Sequence, residues 1–296
     1  MNLEEHVPLA RLTTIGTGGH ARALARPGSL PELEEAIAWA AERGVEVAVV
    51  GLGSNLLAAD EGVDLLVVKL EGELAAAEVR DGLLVAGGGA PNAVSLHRAR
   101  AASLGGFEFA CAIPGTAGGG VRMNAGAYGG DWAGILERAL VVDGERARWL
   151  GPAELDLSYR HSSIRRGQVV AQVEFRLEAR GRDEIKATVA EMQAQRKATQ
   201  PTNKRTFGSV FKNPEHELGA GQIVELCGLK GHRIGGARIS PRHANFIENV
   251  GDARSSDCLA LMAEARRRAL EQLGVVLEHE VELLALELPP AGETLA

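Results

Sequence analysis

The stretch "PGTAGGGVRMNAGAYGG", residues 114–130, contains seven glycines in seventeen positions and one charged side chain, Arg122. Glycine loses more backbone freedom on folding than any other residue, so fixing this run in one conformation is unfavourable. Composition alone allows two interpretations of the run. It is either a loose linker or a place where backbone must approach another group closely.

A second glycine turn, "GLGSN" at residues 51–55, follows the apolar segment "VEVAVV". Backbone N–H groups in such turns form concave anion-binding sites that suit a pyrophosphate, and Ser54 and Asn55 could add side-chain donors. A Rossmann fingerprint is disfavoured, because its third glycine falls on Leu56 and no helical pattern follows directly. Two tight turns without any ligand remain an equal alternative at this point.

The chain has 296 residues, a net charge of −7 and 4% aromatic residues. The negative charge repels a polyanion, and the few aromatic rings offer little surface for stacked bases, so nucleic acid is not an expected partner. The apolar runs are too short to cross a bilayer, so no membrane partner is expected. Three separated cysteines and no N-terminal apolar stretch argue against a secreted disulfide scaffold. We expect a cytoplasmic protein.

Several familiar catalytic motifs do not occur in the sequence. There is no Gly-Lys-Ser/Thr P-loop and no Gly-x-Ser-x-Gly nucleophile turn. His216 and His279 each precede a glutamate, but neither has a second histidine at the spacing of a metal site. We therefore expect no metal ion.

Residue patterns predict an α/β arrangement in the first half. Ser29 and Glu32 form a predicted capping box for a helix that ends at Gly44. The apolar runs "VEVAVV", "VDLLVVKL" and "GLLVAGGG" predict strands, and a helix is expected over 91–104. In "QVVAQVEFRL", alternate residues from Val169 to Leu177 are apolar, which predicts a strand with one buried face.

The second half predicts a helix from residue 182 that is stopped by Pro201. A last domain is expected to follow it. Its predicted elements are a loop at 201–215, a short helix near 221–229, strands around 237–250, a helix from Ser256 to Leu273 and a closing strand in "VVLEHEVELLALEL".

Six segments follow one another along the chain: "VVGLGSNLL", "AIPGTAGGGVRMNAGAYG", "LSYRHSSIR", "GSVFKNP", "GARISPRHANFIEN" and "LEHEVELL". In this order, over about residues 12–286, the chain resembles the family of UDP-N-acetylenolpyruvoylglucosamine reductases. The short spacing between the third and fourth segments resembles the shorter subtype, which lacks a tyrosine-bearing insertion.

The resemblance implies an α+β fold with a two-part FAD-binding domain of the vanillyl-alcohol-oxidase (PCMH) type and a C-terminal α+β substrate domain. We expect the FAD-binding subdomains at 1–72 and 73–182 and the substrate domain at 183–288. Residues 289–296 are expected to form a frayed tail.

The resemblance also implies a reaction in peptidoglycan precursor synthesis. NADPH would reduce a noncovalently bound FAD, and flavin N5 would pass a hydride to the enolpyruvyl methylene carbon of UDP-N-acetylglucosamine enolpyruvate. Protonation would then give UDP-N-acetylmuramate. Because no second nucleotide fold is apparent, we expect NADPH and the UDP-sugar to alternate in one site.

Three residues are implied to be catalytic by their positions in these segments. Ser209 would be the proton donor, and Arg160 would grip a carboxylate with its guanidinium. Glu280 would hold a proton near the enol, with a pKa raised by burial or by neighbouring carboxylates. Glu278, Glu280 and Glu282 alternate on one face, which is also typical of a strand face exposed to solvent.

Further residues are implied to bind ligands. The cofactor residues would be Gly51, Gly53, Ser54, Asn55, Leu56, Pro114, Gly115, Thr116, Gly118, Gly119, Asn124, Gly126, Ala127 and Ile164. The substrate residues would be Tyr159, Arg196, Lys212, Asn213 and His243, with Lys197, Lys204 and Arg205 adding positive charge nearby.

Two other functions remain open from the sequence. A flavin oxidase of the same superfamily would use oxygen and often ties its flavin to a histidine, for which His20 and His97 are the early candidates. A non-catalytic nucleotide-sugar binding protein would keep the basic residues but would need neither glycine turn.

Overall fold

Non-contiguous stretches of the chain form two units in the computed structural model, which describes residues 3–144 and 146–292. The first unit comprises Met1–His6, Arg22–Leu52 and Asp64–Arg196. The second unit comprises Val7–Ala21, Gly53–Val63 and Lys197–Ala296. Two short N-terminal segments therefore belong with the C-terminal part of the chain.

Helices and strands both occur throughout the described residues, as the predicted α+β class requires. The α-helices are α1 (Leu30–Glu42), α2 (Asn92–Ala101), α3 (Ala117–Met123), α4 (Arg182–Thr199), α5 (Ala220–Leu226) and α6 (Ser255–Leu273). The strands are β1 (Leu3–Pro8), β2 (His20–Ala25), β3 (Glu46–Val49), β4 (Leu56–Ala58), β5 (Val63–Val68), β6 (Ala77–Arg80), β7 (Leu83–Gly87), β8 (Leu104–Gly105), β9 (Gly126–Ala127), β10 (Gly130–Asp131), β11 (Leu136–Asp143), β12 (Arg146–Leu150), β13 (Val169–Arg176), β14 (Glu178–Ala179), β15 (Arg233–Ile234), β16 (Ala237–Ile239), β17 (Ile247–Asn249) and β18 (Glu282–Leu284). Short 3-10 helices cover Leu9–Arg11, Gly72–Ala75 and Glu108–Ala112. Within residues 3–144 and 146–292, no helix combines the length and the apolar character needed to cross a membrane.

The first sheet has the strand order β1-β2-β5-β3, and α1 packs against it. Strands β3 and β5 run parallel, and α1 lies between β2 and β3 in the sequence. The helix buries Leu33, Ala36, Ile37 and Ala40, a spacing that places one apolar stripe on the core. The predicted strand–helix–strand unit is confirmed.

The predicted capping box of α1 is only partly correct. Ser29 precedes the helix, but its side chain makes no capping hydrogen bond. Glu32 instead accepts a hydrogen bond from the backbone N–H of Gly28, at 2.7 Å. The Glu32 carboxylate thus binds the N–H one residue before the one that a capping box uses. At the other end of α1, Gly44 follows the helix with a left-handed φ of +63°.

The second sheet is antiparallel, with the order β12-β11-β13-β7-β6. Helix α2 packs against β6 and α3 packs against β13. The core of this layer contains Phe107, Phe109, Trp132 and Phe175, whose ring centroids lie 5.1 to 6.4 Å apart in mostly edge-to-face pairs. A large part of the few aromatic residues is therefore concentrated at one place.

The glycine-rich run wraps around this aromatic cluster. A Cβ on Gly120 would overlap the indole ring of Trp132, and a Cβ on Gly130 would lie 2.6 Å from Cδ1 of Phe109. A Cβ on Gly118 would lie 2.9 Å from the carbonyl oxygen of Gly88. The run is thus an ordered part of the core, which excludes the linker interpretation.

The predicted strand in "QVVAQVEFRL" is confirmed as β13, but the single buried face is wrong. Val169 and Ala171 pack in the core around α1, whereas Val170, Val173 and Phe175 pack in the core around the aromatic cluster. The register with β11 shifts between the pairs Leu140–Gln172 and Val141–Val170. This irregularity turns the strand, so both of its faces are buried.

The core of the second unit involves α5, α6 and the sheet β15-β16-β17. Helix α6 confirms the predicted long helix, one residue earlier than expected, and buries Cys258, Leu261, Met262 and Ala265. The N-terminal segments of this unit contribute Ile15 and Leu57 to the same core.

The predicted closing strand is much shorter than "VVLEHEVELLALEL". Only Glu282–Leu284 is a strand, and it pairs in parallel with Leu56–Ala58. Ala285 then adopts a left-handed φ of +51°, which ends the pairing. Upstream, His279 forms an isolated bridge with Phe211, and Val276 is exposed.

The predicted domain boundaries at 72/73 and 182/183 stay a prediction. The two compact units divide the chain at other positions, and the first unit ends within α4, at Arg196. Of the predicted tail at 289–296, residues 293–296 lie outside the described residues, and the carbonyl of Pro289 accepts a hydrogen bond from Arg266.

Asp60 caps the N-terminal end of α6 in the second unit. Its carboxylate accepts hydrogen bonds from the backbone N–H groups of Ser255 and Ser256, at 2.8 and 2.9 Å, and from the Ser256 hydroxyl. Burial acts to raise the pKa of Asp60, but these hydrogen bonds outweigh it and the pKa is lowered overall. The carboxylate therefore stabilises the fold in its ionised form.

We expect Gly120→Ala to lower the free energy of unfolding by about 1–3 kcal/mol, because the added methyl group overlaps Trp132. Gly119→Ala is the matched control, since its Cβ meets only Thr116 Oγ1 at 3.5 Å. Alanine at residue 119 should be neutral or stabilising through helix propensity. Denaturant unfolding of the flavin-free proteins measures both, and equal effects would contradict the packing argument.

We expect Asp60→Asn to destabilise the protein by about 1–2 kcal/mol near neutral pH, as loss of a helix cap does. Because the folded pKa lies below the unfolded value, the wild-type advantage is present above about pH 4 and is lost as the pH falls through the folded pKa. Thermal unfolding from pH 3 to pH 7 tests this, with the exposed Asp64→Asn as control. A constant difference between wild type and Asp60→Asn over this range would refute the assignment.

Candidate cofactor and substrate site

The two glycine turns approach each other directly in the first unit. A Cβ on Gly51 would lie 2.7 Å from the hydroxyl oxygen of Thr116, so only glycine allows this contact. Thr116 is buried and forms the N-cap of α3, where its hydroxyl accepts from Gly119 N–H at 3.4 Å. Residues that are 65 positions apart therefore meet at the start of one helix.

The backbone donors at this place divide into two groups. Ala117 N–H and Gly118 N–H donate to the carbonyls of Ala90 and Gly88, each at 2.9 Å. Among the described residues, no backbone acceptor faces the N–H groups of Gly51 and Leu52. The donors that remain for an anion thus lie in the first glycine turn, whereas Ala117 N–H and Gly118 N–H at the start of α3 already have acceptors within the protein.

Gly119 differs from the glycines on either side of it. Gly118 and Gly120 are buried and are required by contacts inside the protein, whereas Gly119 is exposed. Its backbone is therefore accessible to a ligand. The sequence prediction that Gly118 contacts the cofactor has a competing structural explanation, and the prediction for Gly119 does not.

Asn124 fixes the segment that follows α3. It adopts a left-handed φ of +37°, its Oδ1 accepts from Ala133 N–H at 2.9 Å, and its Nδ2 donates to the Ser158 carbonyl at 2.8 Å. Gly126 and Ala127 then form β9, which pairs with β10. The buried amide thus connects "MNAGAYG" to the segment "SYRHSSIR".

Arg160 lies against the same segment. Its Nη2 donates to the Gly126 carbonyl at 2.7 Å, and its backbone has a φ of +52°. Its guanidinium carbon lies 5.0 Å from the ring centroid of Tyr159, which is 53% exposed. The structure therefore brings Arg160 together with Tyr159 and Gly126.

The end of the segment "SYRHSSIR" is held by hydrogen bonds with α3. Ser162 Oγ donates to the Arg122 carbonyl at 2.6 Å, and Arg122 Nη1 donates to the Ile164 carbonyl at 2.9 Å. Ile164 is buried. Two hydrogen bonds thus fix Ile164 relative to the glycine-rich helix.

Arg196 lies near the end of α4 in the first unit. Burial lowers the pKa of its guanidinium, partly offset by Tyr128 and Cys111, and the group remains charged at neutral pH. Tyr128 donates its hydroxyl to the Met192 carbonyl at 3.0 Å, which ties α4 to the glycine-rich segment. Tyr128, which the sequence interpretation did not single out, therefore holds the part of α4 that carries Arg196.

Ser209 and Glu280 come together in the second unit. Glu280 N–H donates, at 2.8 Å, to the carbonyl of Val210, which is the residue that follows Ser209. Asn55 Nδ2 donates to the Glu280 carbonyl at 3.1 Å, and a Cβ on Gly208 would lie 3.2 Å from the Ser54 carbonyl. Backbone contacts thus join three stretches that are far apart in sequence.

Gly53 and Leu56 flank this arrangement. Gly53 has a φ of +65° and lies so close to the Leu12 carbonyl that a Cβ would overlap it. Thr14 Oγ1 donates to the Thr206 carbonyl at 2.6 Å, and Thr14 N–H donates to the Gly53 carbonyl at 3.0 Å. Leu56 is buried in β4. Their role in holding a cofactor stays a prediction.

Two predicted substrate residues, Asn213 and His243, contact the first turn of α5, and a third, Lys212, precedes Asn213 in the sequence. Asn213 Oδ1 accepts from Ala220 N–H at 3.0 Å, and a Cβ on Gly221 would lie 2.8 Å from the His243 ring. Burial, and then the charge of Lys230, lower the pKa of His243, so its ring is neutral at neutral pH. Lys212 Nζ lies 3.5 Å from a Glu278 carboxylate oxygen.

Asn245 supports this group and was missed in the sequence. Its buried amide accepts from Phe211 N–H at 2.9 Å and donates to the Phe211 carbonyl at 2.8 Å, which holds "SVFKN" in place. The signal was present, because an asparagine flanked by apolar residues in "ANFI" is a buried amide in need of partners.

The predicted catalytic residues fall into both units. Ser209 and Glu280 are joined by the hydrogen bonds just described in the second unit, and Arg160 is fixed in the first unit. Within the described residues, no cluster of three or more His, Cys, Asp or Glu side chains could hold a metal ion.

The residues of the first unit fit FAD. The cofactor is a long anionic dinucleotide, and the glycine turn provides N–H groups of Gly51 and Leu52 together with the exposed backbone of Gly119. Exposed glycine backbone and available amide donors are what a close approach by phosphate requires.

Comparisons with known proteins agree with this fit. A family model described as an FAD binding domain matches residues 21–145, and one described as the C-terminal domain of UDP-N-acetylenolpyruvoylglucosamine reductase matches residues 200–284. A UDP-N-acetylenolpyruvoylglucosamine reductase of Anaeromyxobacter dehalogenans is 41% identical over 96% of this chain and 85% of its own length. A second such reductase, from Symbiobacterium thermophilum, is 41% identical over 93% of this chain and 90% of its own length.

A solved structure is also similar to this chain. The crystal structure of UDP-N-acetylenolpyruvylglucosamine reductase from Thermus caldophilus has a TM-score of 0.83 and 37% identity, over 96% of this chain and 99% of that one.

We expect Gly119→Leu to raise the dissociation constant for FAD at least about tenfold, because a side chain there occupies space that the protein itself leaves open. Gly181→Leu is the matched control, since a Cβ at Gly181 meets no atom within 4 Å and lies outside the glycine turns. Flavin fluorescence titration of the flavin-free proteins measures the affinities. Unchanged affinity in Gly119→Leu would remove this residue from the cofactor site.

Proposed function

Because the chain belongs to the family of UDP-N-acetylenolpyruvoylglucosamine reductases, we propose that it reduces UDP-N-acetylglucosamine enolpyruvate to UDP-N-acetylmuramate in peptidoglycan precursor synthesis, with noncovalent FAD and with NADPH as reductant. The observation that carries the proposal is the hydrogen-bonded assembly of residues 53–55, 208–210 and 280–282. Both nucleotide cosubstrates are compounds of the cytoplasm, where we place the reaction.

FAD, when bound, would accept a hydride from NADPH and supply it to the enolpyruvyl methylene carbon. In our proposal its phosphates lie against Gly51, Leu52 and the exposed Gly119. The segment from Asn124 to Ala127 leads away from that turn and carries Arg160 on the Gly126 carbonyl. The glycines therefore hold the cofactor, and the following residues orient the reacting end.

Arg160 stabilises the negative charge that develops on the reduced substrate. Hydride addition at the methylene carbon leaves electron density on the adjacent carbon and on its carboxylate. A guanidinium remains charged at any relevant pH and can bind both carboxylate oxygens. The contacts with Gly126 and Tyr159 hold it in place before substrate arrives, which is how preorganised charge lowers a barrier.

Ser209 donates the proton that completes the reduction. A hydroxyl is a weak acid in water, but the carbanion formed next to the carboxylate is a much stronger base. Gly208 N–H donates to Thr206 Oγ1 on one side of Ser209. On the other side, Val210 N–H donates to the Asn245 carbonyl and the Val210 carbonyl accepts from Glu280 N–H. The position of the hydroxyl is thus set by backbone on both sides.

Glu280 acts at the same carbon from a second position. Its backbone is held at both ends, because its N–H donates to Val210 and its carbonyl accepts from Asn55. The side chain is half-buried. In the proposed reaction this carboxyl keeps a proton close to the enol form of the intermediate.

In our proposal, polar side chains of each unit contact the UDP portion of the substrate. They are Lys212, Asn213 and His243 in the second unit, and Arg196 and Tyr159 in the first. A neutral His243 can accept a hydrogen bond from the uracil ring or a sugar hydroxyl. We further propose that NADPH and the UDP-sugar use this site in turn.

We expect Ser209→Ala to be reduced by NADPH at the wild-type rate, but to be reoxidised by UDP-N-acetylglucosamine enolpyruvate at least about 100-fold more slowly, since a general acid contributes that much or more. Anaerobic stopped-flow absorbance of the flavin separates the two half-reactions. Ser163→Ala is the control, because the hydroxyl of this exposed serine donates to the Glu154 carbonyl and has no proposed part in the reaction.

Equal loss in both half-reactions of Ser209→Ala would remove Ser209 from the acid role. Rapid reoxidation of the wild type by oxygen, with none by the UDP-sugar, would support the oxidase alternative. A colourless protein that cannot be reconstituted with FAD would favour a non-catalytic binding protein.

A further inference from the structure

Thr14 connects two segments of the second unit that are far apart in the sequence. Its backbone N–H donates to the Gly53 carbonyl at 3.0 Å. Its hydroxyl donates to the Thr206 carbonyl at 2.6 Å, whereas the Gly53 carbonyl lies further from it, at 3.2 Å. A hydroxyl has one hydrogen and bonds most strongly to the nearer acceptor. Thr14 therefore holds Gly53 mainly through its backbone and Thr206 through its side chain.

The loop that contains Thr206 leads directly to Ser209. Thr206 Oγ1 accepts a hydrogen bond from Gly208 N–H at 3.3 Å. Gly208 has a left-handed φ of +81°, which turns the chain immediately before Ser209. The hydrogen bonds from Thr14 to Thr206 and from Gly208 to Thr206 therefore form one path, which ends at the residue next to Ser209.

A second pair of contacts joins the residues adjacent to this path. Asn249 Nδ2 donates to the Ile15 carbonyl at 2.9 Å, and Asn249 N–H donates to the Arg205 carbonyl at 2.9 Å. Because Ile15 follows Thr14 and Arg205 precedes Thr206, the two segments stay joined when the Thr14 hydroxyl is removed. Thr14 is also exposed, so its truncation leaves no cavity in the core. The hydroxyl can therefore be removed without unfolding the loop.

We propose that Thr14 is a positioning residue for the proton transfer assigned to Ser209. Its hydroxyl fixes the Thr206 carbonyl, and the loop then holds Ser209 at a set place relative to Gly53. A general acid must lie within hydrogen-bond reach of the atom that it protonates, so even a small displacement slows that step. The inference rests on the proposed function, because that function gives Ser209 its role as the acid.

Four variants separate the hydroxyl of Thr14 from the rest of the residue. Thr14→Val removes the hydroxyl but keeps the branched shape and the backbone N–H that donates to Gly53. Thr14→Ser restores a hydroxyl. Thr202→Val is the matched control, since this exposed threonine lies on the same loop and has no proposed part in holding Thr206. Thr14→Ala, which also lacks the hydroxyl, replaces Thr14→Val if thermal unfolding shows that the valine variant is not folded.

The first measurement is anaerobic stopped-flow absorbance of the flavin. Thr14→Val should be reduced by NADPH at the wild-type rate, but reoxidised by UDP-N-acetylglucosamine enolpyruvate about tenfold more slowly, while Thr14→Ser stays within about twofold of the wild type. The solvent deuterium isotope effect on reoxidation should rise in Thr14→Val, because a displaced acid makes proton transfer the slower step. A role in folding alone would leave this isotope effect unchanged.

The second measurement is amide hydrogen exchange of the flavin-free proteins, which requires no turnover. Peptides that cover residues 206–211 should exchange faster in Thr14→Val than in the wild type or in Thr202→Val, because the loop has lost one of its contacts and opens more often. Peptides from α6 should exchange at the same rate in all of these proteins.

A double variant tests whether the two hydrogen bonds act as one path. Thr206→Val removes the acceptor of Gly208 N–H. If Thr14 acts through Thr206, the double variant Thr14→Val/Thr206→Val should slow reoxidation by much less than the product of the two single effects. Effects that multiply would show that the two residues act independently, which would contradict the proposed path.

Reoxidation of Thr14→Val within twofold of the wild-type rate would overturn the proposal. Slower reoxidation without a rise in the solvent isotope effect would also overturn it. A wild-type protein that NADPH reduces but that the UDP-sugar does not reoxidise would refute the proposed function instead. The two failures are therefore distinguishable.

Discussion

The contact between Gly120 and the Trp132 ring is the constraint on which the first unit depends. It sets α3 against the aromatic cluster, and α3 in turn positions Thr116 at its start and Asn124 at its end. Glycines on the inner side of the helix are thus explained by packing, and this leaves Gly119 as the exposed one. A single close approach between backbone and ring therefore determines where a ligand can approach the chain.

The proposed catalytic residues are positioned in two ways. Backbone hydrogen bonds hold Glu280 and Val210, the residue that follows Ser209. Arg160 has a left-handed backbone, and Nη2 of its guanidinium donates to the Gly126 carbonyl. These contacts fix the places from which the proposed catalytic groups act.

Local patterns allowed the prediction of α1, α2, α4, α5 and α6 and of the longer apolar strands such as β3, β5, β7 and β13, and the family resemblance supplied the FAD domain and the reaction class. The errors arose where distant contacts decide the geometry. The two-sided burial of β13 depends on a register shift with β11, and the short β18 depends on its three partners in β4. The support given by Asn245 to Phe211 likewise joins residues 34 positions apart, so no local pattern could predict that pair.

The division of the second unit along the chain has a consequence for biosynthesis. Leu56–Ala58 leaves the ribosome well before its strand partner Glu282–Leu284, which lies 226 positions further along the sequence. Ile15 and Leu57 likewise precede the helices that bury them. These segments therefore lack their native partners until the later segment has been made, so the core of the second unit forms only after that point of translation.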